Sequence, residues 1–214
     1  MHRFPIRFLL FLSAAVILFS CNHYRHMQKV QSDNSCISKF KPDFNYAVYK
    51  TVAVINGKEI SGILMIKKMP DSSIRIVFSS QMGLSFFDFG FLPENQFQVY
   101  QILPGMNKKA IIKTLRKDFE LVMFRNMDSN SNYSLADSNQ IYHAYPQFKG
   151  INYYITDDRC QHLIKMQRAS NKKPVMEAFT YMDSSGTSPD SIFIRHLNFN
   201  FMITLKKTTP LAPE

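Results

Sequence analysis

Glycine is scarce in this chain, seven residues in 214, and tryptophan is absent. None of the glycines sits in a phosphate-cradling loop, and no Gly-x-Ser-x-Gly, His-Glu-x-x-His or Cys-x-x-Cys occurs. The short signatures of nucleotide binding, serine hydrolysis, zinc proteolysis and dithiol chemistry are therefore missing. Acidic residues are also few, 16 Asp+Glu against 26 Lys+Arg. The basic residues are scattered, never more than two in a row, so they read as a solvated surface that tolerates acidic headgroups. Long apolar runs are lacking too. The first of note is Phe8–Phe19, well short of the roughly 20 residues that cross a bilayer as a helix.

What is present begins with that run. Arg3 and Arg7 precede it and Leu18-Phe19-Ser20-Cys21 ends it. A basic start followed by a short apolar core is an export signal, removed from the mature protein. Its end resembles a bacterial lipoprotein signal. That resemblance implies cleavage before Cys21, acylation of Cys21, and stable anchoring by several acyl chains where one would be marginal. Asn22, rather than Asp, follows the Cys and points to the outer membrane, with the domain facing the periplasm. Export makes nucleic acid an unsuitable partner. Two of the basic residues leave with the signal, so the mature chain stays near +8. Cys36 and Cys160 remain. Export permits a disulfide, but sequence supplies no geometry, and their pairing stays open. Residues 21–42, polar and without periodicity, read as the lipidated Cys and a flexible tether. Residues 43–207 read as one domain, long enough for a sizeable core, and 208–214 as a loose tail.

The domain is organised around Ser61–Leu92, which holds three strand-like runs and two turns. Period two with β-branched and aromatic residues marks strands: Ile74, Ile76 and Phe78 in one run, Phe87, Phe89 and Phe91 in the next. Both faces are partly apolar, so either something apolar covers both or one face lines a greasy cavity. Gln81-Met82-Gly83-Leu84 is a turn with two large apolar residues, where turns are normally polar. Before this stretch, 44–55 and 58–69 form a hairpin around Asn56-Gly57, a strong hairpin signal. After it, 97–103 is a strand. Asn107 can cap a helix over 108–124, whose Ile111, Leu115, Phe119 and Val122 share one face while Lys108, Lys109, Lys113, Arg116 and Lys117 look mostly away. The stripe packs on the sheet; the sharper alternative is a basic membrane-surface helix. Residues 126–139 read as a surface loop. Strands follow at 140–145, 150–156, 162–168 and 174–182, then one long strand at 192–205. The expected fold is mainly β (α+β), an antiparallel sheet of about ten strands with one amphipathic helix packed on or in it.

A lipoprotein signal, a polar tether and a strand-rich domain with a helix after the fifth strand resemble the LolA/LolB superfamily of lipoprotein carriers. The resemblance implies an incomplete barrel curled around an apolar cavity that accepts acyl chains. Ser79-Ser80-Gln81-Met82-Gly83 looks like the family's membrane-inserting turn, with Met82, and Leu84 nearby, as the membrane-contacting residues. Met65, Phe78, Phe86, Phe89, Ile111, Leu115, Phe119 and Phe199 are the candidate cavity lining. Flexible Phe and Met side chains suit a floppy ligand. The implied role is binding a lipid or the acyl part of lipoproteins and helping them reach the outer membrane. The alternative is a lipid-anchored accessory or scaffold lipoprotein with a filled core. No catalysis, cofactor or metal is expected, and a monomer is. The one dense group of reactive types, Asp157 to His162, reads as a polar hairpin turn. A Cys–His pair there would need both side chains in reach and an orienting group. His23 and His26 read as part of the tether.

Overall fold

The structure is a computed structural model and describes residues 23–127, 131–182 and 187–208. The signal, Cys21 and most of the tail lie outside the described residues. The elements in chain order are β1 (Gln28–Val30), β2 (Tyr46–Ile55), β3 (Lys58–Lys68), β4 (Ile74–Ser79), β5 (Ser85–Phe91), β6 (Phe97–Ile102), α1 (Lys109–Val122), β7 (Tyr133–Asp137), β8 (Gln140–Pro146), β9 (Ile151–Asp157), β10 (Leu163–Ala169), β11 (Pro174–Met182), β12 (Pro189–His196) and β13 (Phe201–Lys207). All strands join one antiparallel sheet in the order β1-β7-β8-β9-β10-β11-β12-β13-β2-β3-β4-β5-β6. Its edge strands β1 and β6 do not pair, so the sheet is not closed into a barrel.

The sheet is nevertheless curled. The last turn of α1 touches two strands far apart in that order. The Tyr154 hydroxyl on β9 donates to the Leu121 carbonyl, and Arg125 donates to the Phe91 and Leu92 carbonyls at the end of β5. Eight strand spacings separate β9 from β5. At about 4.8 Å each, a flat sheet would hold them about 38 Å apart. One helix end can reach both only if the sheet wraps around it.

Burial follows the alternation. Ala47, Tyr49, Thr51 and Ala53 of β2, Leu64 and Ile66 of β3, and Phe87, Phe89 and Phe91 of β5 turn inward and are buried. Ile63, Met65 and Val77 on the opposite face are half-buried. Full burial of both faces is instead reached on β9, where Asn152 to Thr156 are all buried. Inside, Tyr154 meets Phe124 and Tyr145. Outside, Tyr153 is stacked by Tyr24 at 4.9 Å, in a second small core with Met27, Leu135 and Tyr142.

Several expectations are corrected. Thirteen strands replace about ten. The long strand at 192–205 is a hairpin, β12 and β13 joined by Leu197–Asn200, because Asn198 and Asn200 turn the chain without glycine or proline. His196, Ile192 and Ile194 point inward and Phe193 outward, packed beside Phe179. Residues read as a loop contain β7, whose Leu135 is its single large aliphatic anchor. The tether, from His23 on, is folded onto the domain: Tyr24 and Met27 cover the outer face, β1 pairs with β7, and a short 3-10 helix, Asn34–Phe40, buries Ile37. The helix begins after Lys108, and no side chain caps it.

The 3-10 helix is fixed by a disulfide between Cys36 and Cys160 of the β9–β10 turn. His143 of β8 lies beside the bridge, its ligand nitrogen within 4.8 Å of both sulfurs, and its Nε2 is 3.2 Å from the Thr156 hydroxyl. Burial pushes its imidazole down from 6.5 to about 4, against a weak upward pull from Asp33. The folded protein therefore refuses a proton that the unfolded chain accepts between pH 6.5 and 4. Stability is full above pH 6.5 and declines as pH falls through that window, by about 2–3 kcal/mol. Urea midpoints at pH 7 and pH 4.5 check this. The pH-dependent loss should be smaller in His143→Gln, and equal losses in both proteins would refute the assignment.

Candidate functional site: an apolar cavity beneath the helix

The N-terminal half of α1 does not rest directly on the sheet. Between them lies a cavity of about 280 Å³. Its floor is Leu64, Phe78 and Phe87 from β3–β5 and Ile203 from β13. Its roof is Ala110, Ile111, Thr114, Leu115 and Phe119, and its sides include Ile55, Ile60, Met106 and Phe199. Only Thr51 and Thr114 bring a polar side chain to it. Phe199 is about half exposed and Ala110 is exposed, whereas Leu64, Phe78, Phe87 and Phe119 are buried. The opening therefore lies where the β12–β13 and β2–β3 turns approach the start of α1. Sheet connectivity puts the β4–β5 turn on this same edge of the neighbouring strands.

Of the candidate lining residues, Phe78, Ile111, Leu115, Phe119 and Phe199 line the cavity. Met65, Phe86 and Phe89 do not. Met65 falls on the opposite pleat from Leu64 and Ile66, on the outer face. Phe86 packs its ring 4.8 Å from Phe78, outside the cavity wall. Phe89 is fully buried among Phe87 and Phe97. Met82 is 97% exposed and Leu84 53%. Gly83 closes their turn with φ +84° and its amide bonded to the Ser80 carbonyl, which leaves Met82 standing out.

The two halves of α1 are held differently. Arg116 bonds Glu120 and the Asn95 carbonyl. Asp118, fully buried, accepts from Arg168 of β10 at 3.1 Å and lies 2.8 Å from His196 Nε2. Tyr154 and Arg125 complete the attachment. Among the described residues, no side-chain hydrogen bond or ion pair ties residues 109–115 to the sheet. The helix is thus bolted along its C-terminal half and lies over the cavity with the other. His196 is separated from that space by Phe199 and Phe201, whose rings lie 4.6 and 5.0 Å from its own.

Reasoning from sequence missed Asp118, Arg168 and the inward His196. One signal was available. Asp118 sits seven residues after Ile111 and three after Leu115, on the apolar stripe itself, where an acid needs a buried partner.

The other candidates fall elsewhere. Cys160 is bridged and so is no free nucleophile, while His162 is exposed and paired with Asp157 at 2.8 Å. Asp88, which strand alternation sets between Phe87 and Phe89 and facing away from them, is gripped by Arg75 through two bonds of 2.7 Å on the outer face, with Arg75 stacked over Tyr100. Among the described residues no helix is long and apolar enough to cross a membrane.

No family model and no curated protein matches the chain. Among solved structures it is similar to a LolA superfamily protein from Nitrosomonas europaea, at 8% identity and TM-score 0.48 over 86% of this chain and 96% of that one. It is similar to a DUF1329 family protein from Desulfovibrio piger, at 9% identity and TM-score 0.42 over 83% and 92%. A protein domain from Vibrio parahaemolyticus described as outer membrane lipoprotein-sorting matches at 6% identity and TM-score 0.44 over 84% and 91%.

Proposed function

We propose that the mature chain is anchored through an acylated Cys21 in a bacterial outer membrane, faces the periplasm, and binds a lipid or the acyl part of a lipoprotein beneath α1. In this reading it helps lipoproteins reach that membrane, and Met82 and Leu84 touch the bilayer. The observation that carries it is the cavity: not closed by side chains, lined almost wholly by hydrocarbon, and roofed mainly by the half of α1 that is not bolted down, with Phe119 from the other half. Its volume is near the lower end of ligand pockets, about 300–1,000 Å³. A helix end free to lift adds room for a long chain. Each methylene buried there stabilises the complex by about 0.8 kcal/mol, so an unbranched acyl chain gains steadily along its length without needing a polar contact.

Native mass spectrometry of the mature chain tests this. A stoichiometric acyl lipid should be carried by the wild type and by Ile112→Trp, whose position does not line the cavity. It should be lost in Ile111→Trp, where the indole fills the space from the roof. A protein that stays empty when acyl lipid is offered, or an Ile111→Trp variant that binds it as well as the wild type, would sink the reading.

A further inference from the structure

Among the described residues the most exposed large apolar side chain is Phe148, 100% exposed at the tip of the β8–β9 turn, ahead of Met82 at 97%. Its turn is built, not frayed. The Gln147 amide donates to the Gly150 carbonyl at 2.9 Å, and Gly150 has φ +87°. The Gln147 side chain donates to the Asn126 and Tyr145 carbonyls, which holds the base of the turn against the core. The plan matches the other turn, a large apolar residue held out by a tight bend that a positive-φ glycine closes.

Cations surround this tip. Lys149 follows Phe148, and Lys172 and Lys173 of the β10–β11 turn line the same depression. Lys149 also bears on the half-buried Lys117 amine of α1, which burial pushes down, with Arg168, Lys113 and Lys149 pushing it further and Glu120 opposing. An exposed ring bordered by lysines is the pairing of apolar wedge and basic rim that suits an anionic headgroup layer over an apolar interior.

The start of the chain adds the deciding constraint. The His23 amide donates to the Lys172 carbonyl at 2.8 Å, and Tyr24 is pinned by its hydrogen bond to Gln167 and its stack on Tyr153. Cys21 is two residues before His23, so it lies no farther than about 7 Å along an extended chain. This step rests on the acylation of Cys21 in the functional reading. With acyl chains on Cys21, the bilayer must come within that reach of Lys172.

We propose that Phe148, Lys149, Lys172 and Lys173 form a docking surface for the anionic headgroups of the membrane that holds Cys21, with the Phe148 ring entering the headgroup–acyl boundary. The domain then lies against the bilayer at this patch instead of swinging on a long tether.

The absence of native tryptophan makes the test direct. The mature chain is reconstituted into phosphatidylglycerol-containing vesicles with brominated acyl chains, carrying one tryptophan at a time: Phe148→Trp, Met82→Trp or Tyr181→Trp. Tyr181 is an exposed ring on β11, away from the patch. Phe148→Trp should be strongly quenched and Tyr181→Trp should not. Replacing Lys149, Lys172 and Lys173 by Gln should weaken docking about a hundredfold, about fivefold per lysine. Phe148→Trp quenched no more than Tyr181→Trp, in a chain whose mass shows Cys21 acylated, overturns the docking surface. So does equal docking to zwitterionic vesicles, or to an acidic protein in preference to the bilayer. An unacylated Cys21 overturns the anchoring itself, and an unquenched Met82→Trp overturns only the membrane role of that turn.

Discussion

Asp118→Ala should lower the unfolding free energy by about 3–5 kcal/mol, the usual cost of breaking a buried ion pair from one side. Asp118 is fully buried, and its two carboxylate oxygens are divided between Arg168 and His196. Alanine leaves a guanidinium that is only 13% exposed without its counter-charge. It also leaves His196 without its hydrogen-bond partner behind Phe199 and Phe201. The whole pair should be worth much less than this loss, because the desolvation of both ions offsets most of their attraction. Asp118→Leu combined with Arg168→Met should therefore recover most of the stability lost by Asp118→Ala. Urea denaturation of the wild type, Asp118→Ala and the double variant gives the comparison. A single-variant loss below about 1 kcal/mol, the range of an exposed pair, would refute the buried-pair account.

The same cluster bears on the cavity. Asp118 is the middle bolt of the helix, between the roof residues Ile111 and Leu115 and the Leu121–Tyr154 contact. The proposed binding of an acyl chain needs a roof that moves and a hinge that does not. A charged pair under the hinge fixes the crossing position more narrowly than an apolar contact would, since sliding the helix by one turn would strand the carboxylate. This gives the buried charge a specific positional role despite its small net contribution to stability.

The elements that sequence made legible are those whose local chemistry and tertiary role agree. Asn56 and Gly57 both take positive φ, as a tight hairpin turn requires, and β2 and β3 pair directly around them. Of the apolar stripe of α1, Leu115, Phe119 and Val122 are buried as their spacing dictates, while Ile111 over the cavity is half-buried. Five of the eight proposed lining residues line the cavity. The failures share a cause, which is tertiary partners that no local pattern records. Tyr24 and Met27 sit in a polar stretch, and only the aromatic outer face of β8 and β9 gives them something to cover. β7 has one large aliphatic side chain buried and would be no strand without β8 and β1 on either side. From Leu197 to Leu205 every second residue is apolar, so the turn at Leu197–Asn200 leaves that period intact; Ile194 and Arg195, out of phase with it, and two asparagines were the only marks. Met65 and Phe89 fail for a simpler reason. Strand alternation tells which residues share a face, but not which face is inward or how deep a ring lies.

Removing the Cys36–Cys160 bridge should cost about 2–4 kcal/mol. The bridge joins residues 124 apart, so it excludes a large set of open conformations from the unfolded chain, and loops of this length sit at the upper end of the chain-entropy estimate. The Cys36→Ser, Cys160→Ser double variant measures it against the wild type by urea midpoint, and an unchanged midpoint would refute it. The effect should not be spread evenly. Without the bridge, the 3-10 helix Asn34–Phe40 keeps only Ile37 and its partly buried neighbours to hold it against the concave face. Its amides should exchange much faster in the variant, while those of β2 and β3 stay protected. The anchor is linked to the same point. The segment from His23 to Phe40 is a strap attached at Tyr24, along β1 and at Cys36. As long as the strap stays fastened, Cys21 remains within two residues of the domain, and under the proposed anchoring the bilayer remains close to Phe148. Losing the disulfide removes only the last of these fastenings, so Phe148→Trp should stay quenched by brominated lipid in the double variant, whereas displacing Tyr24 by Tyr24→Ser should weaken that quenching.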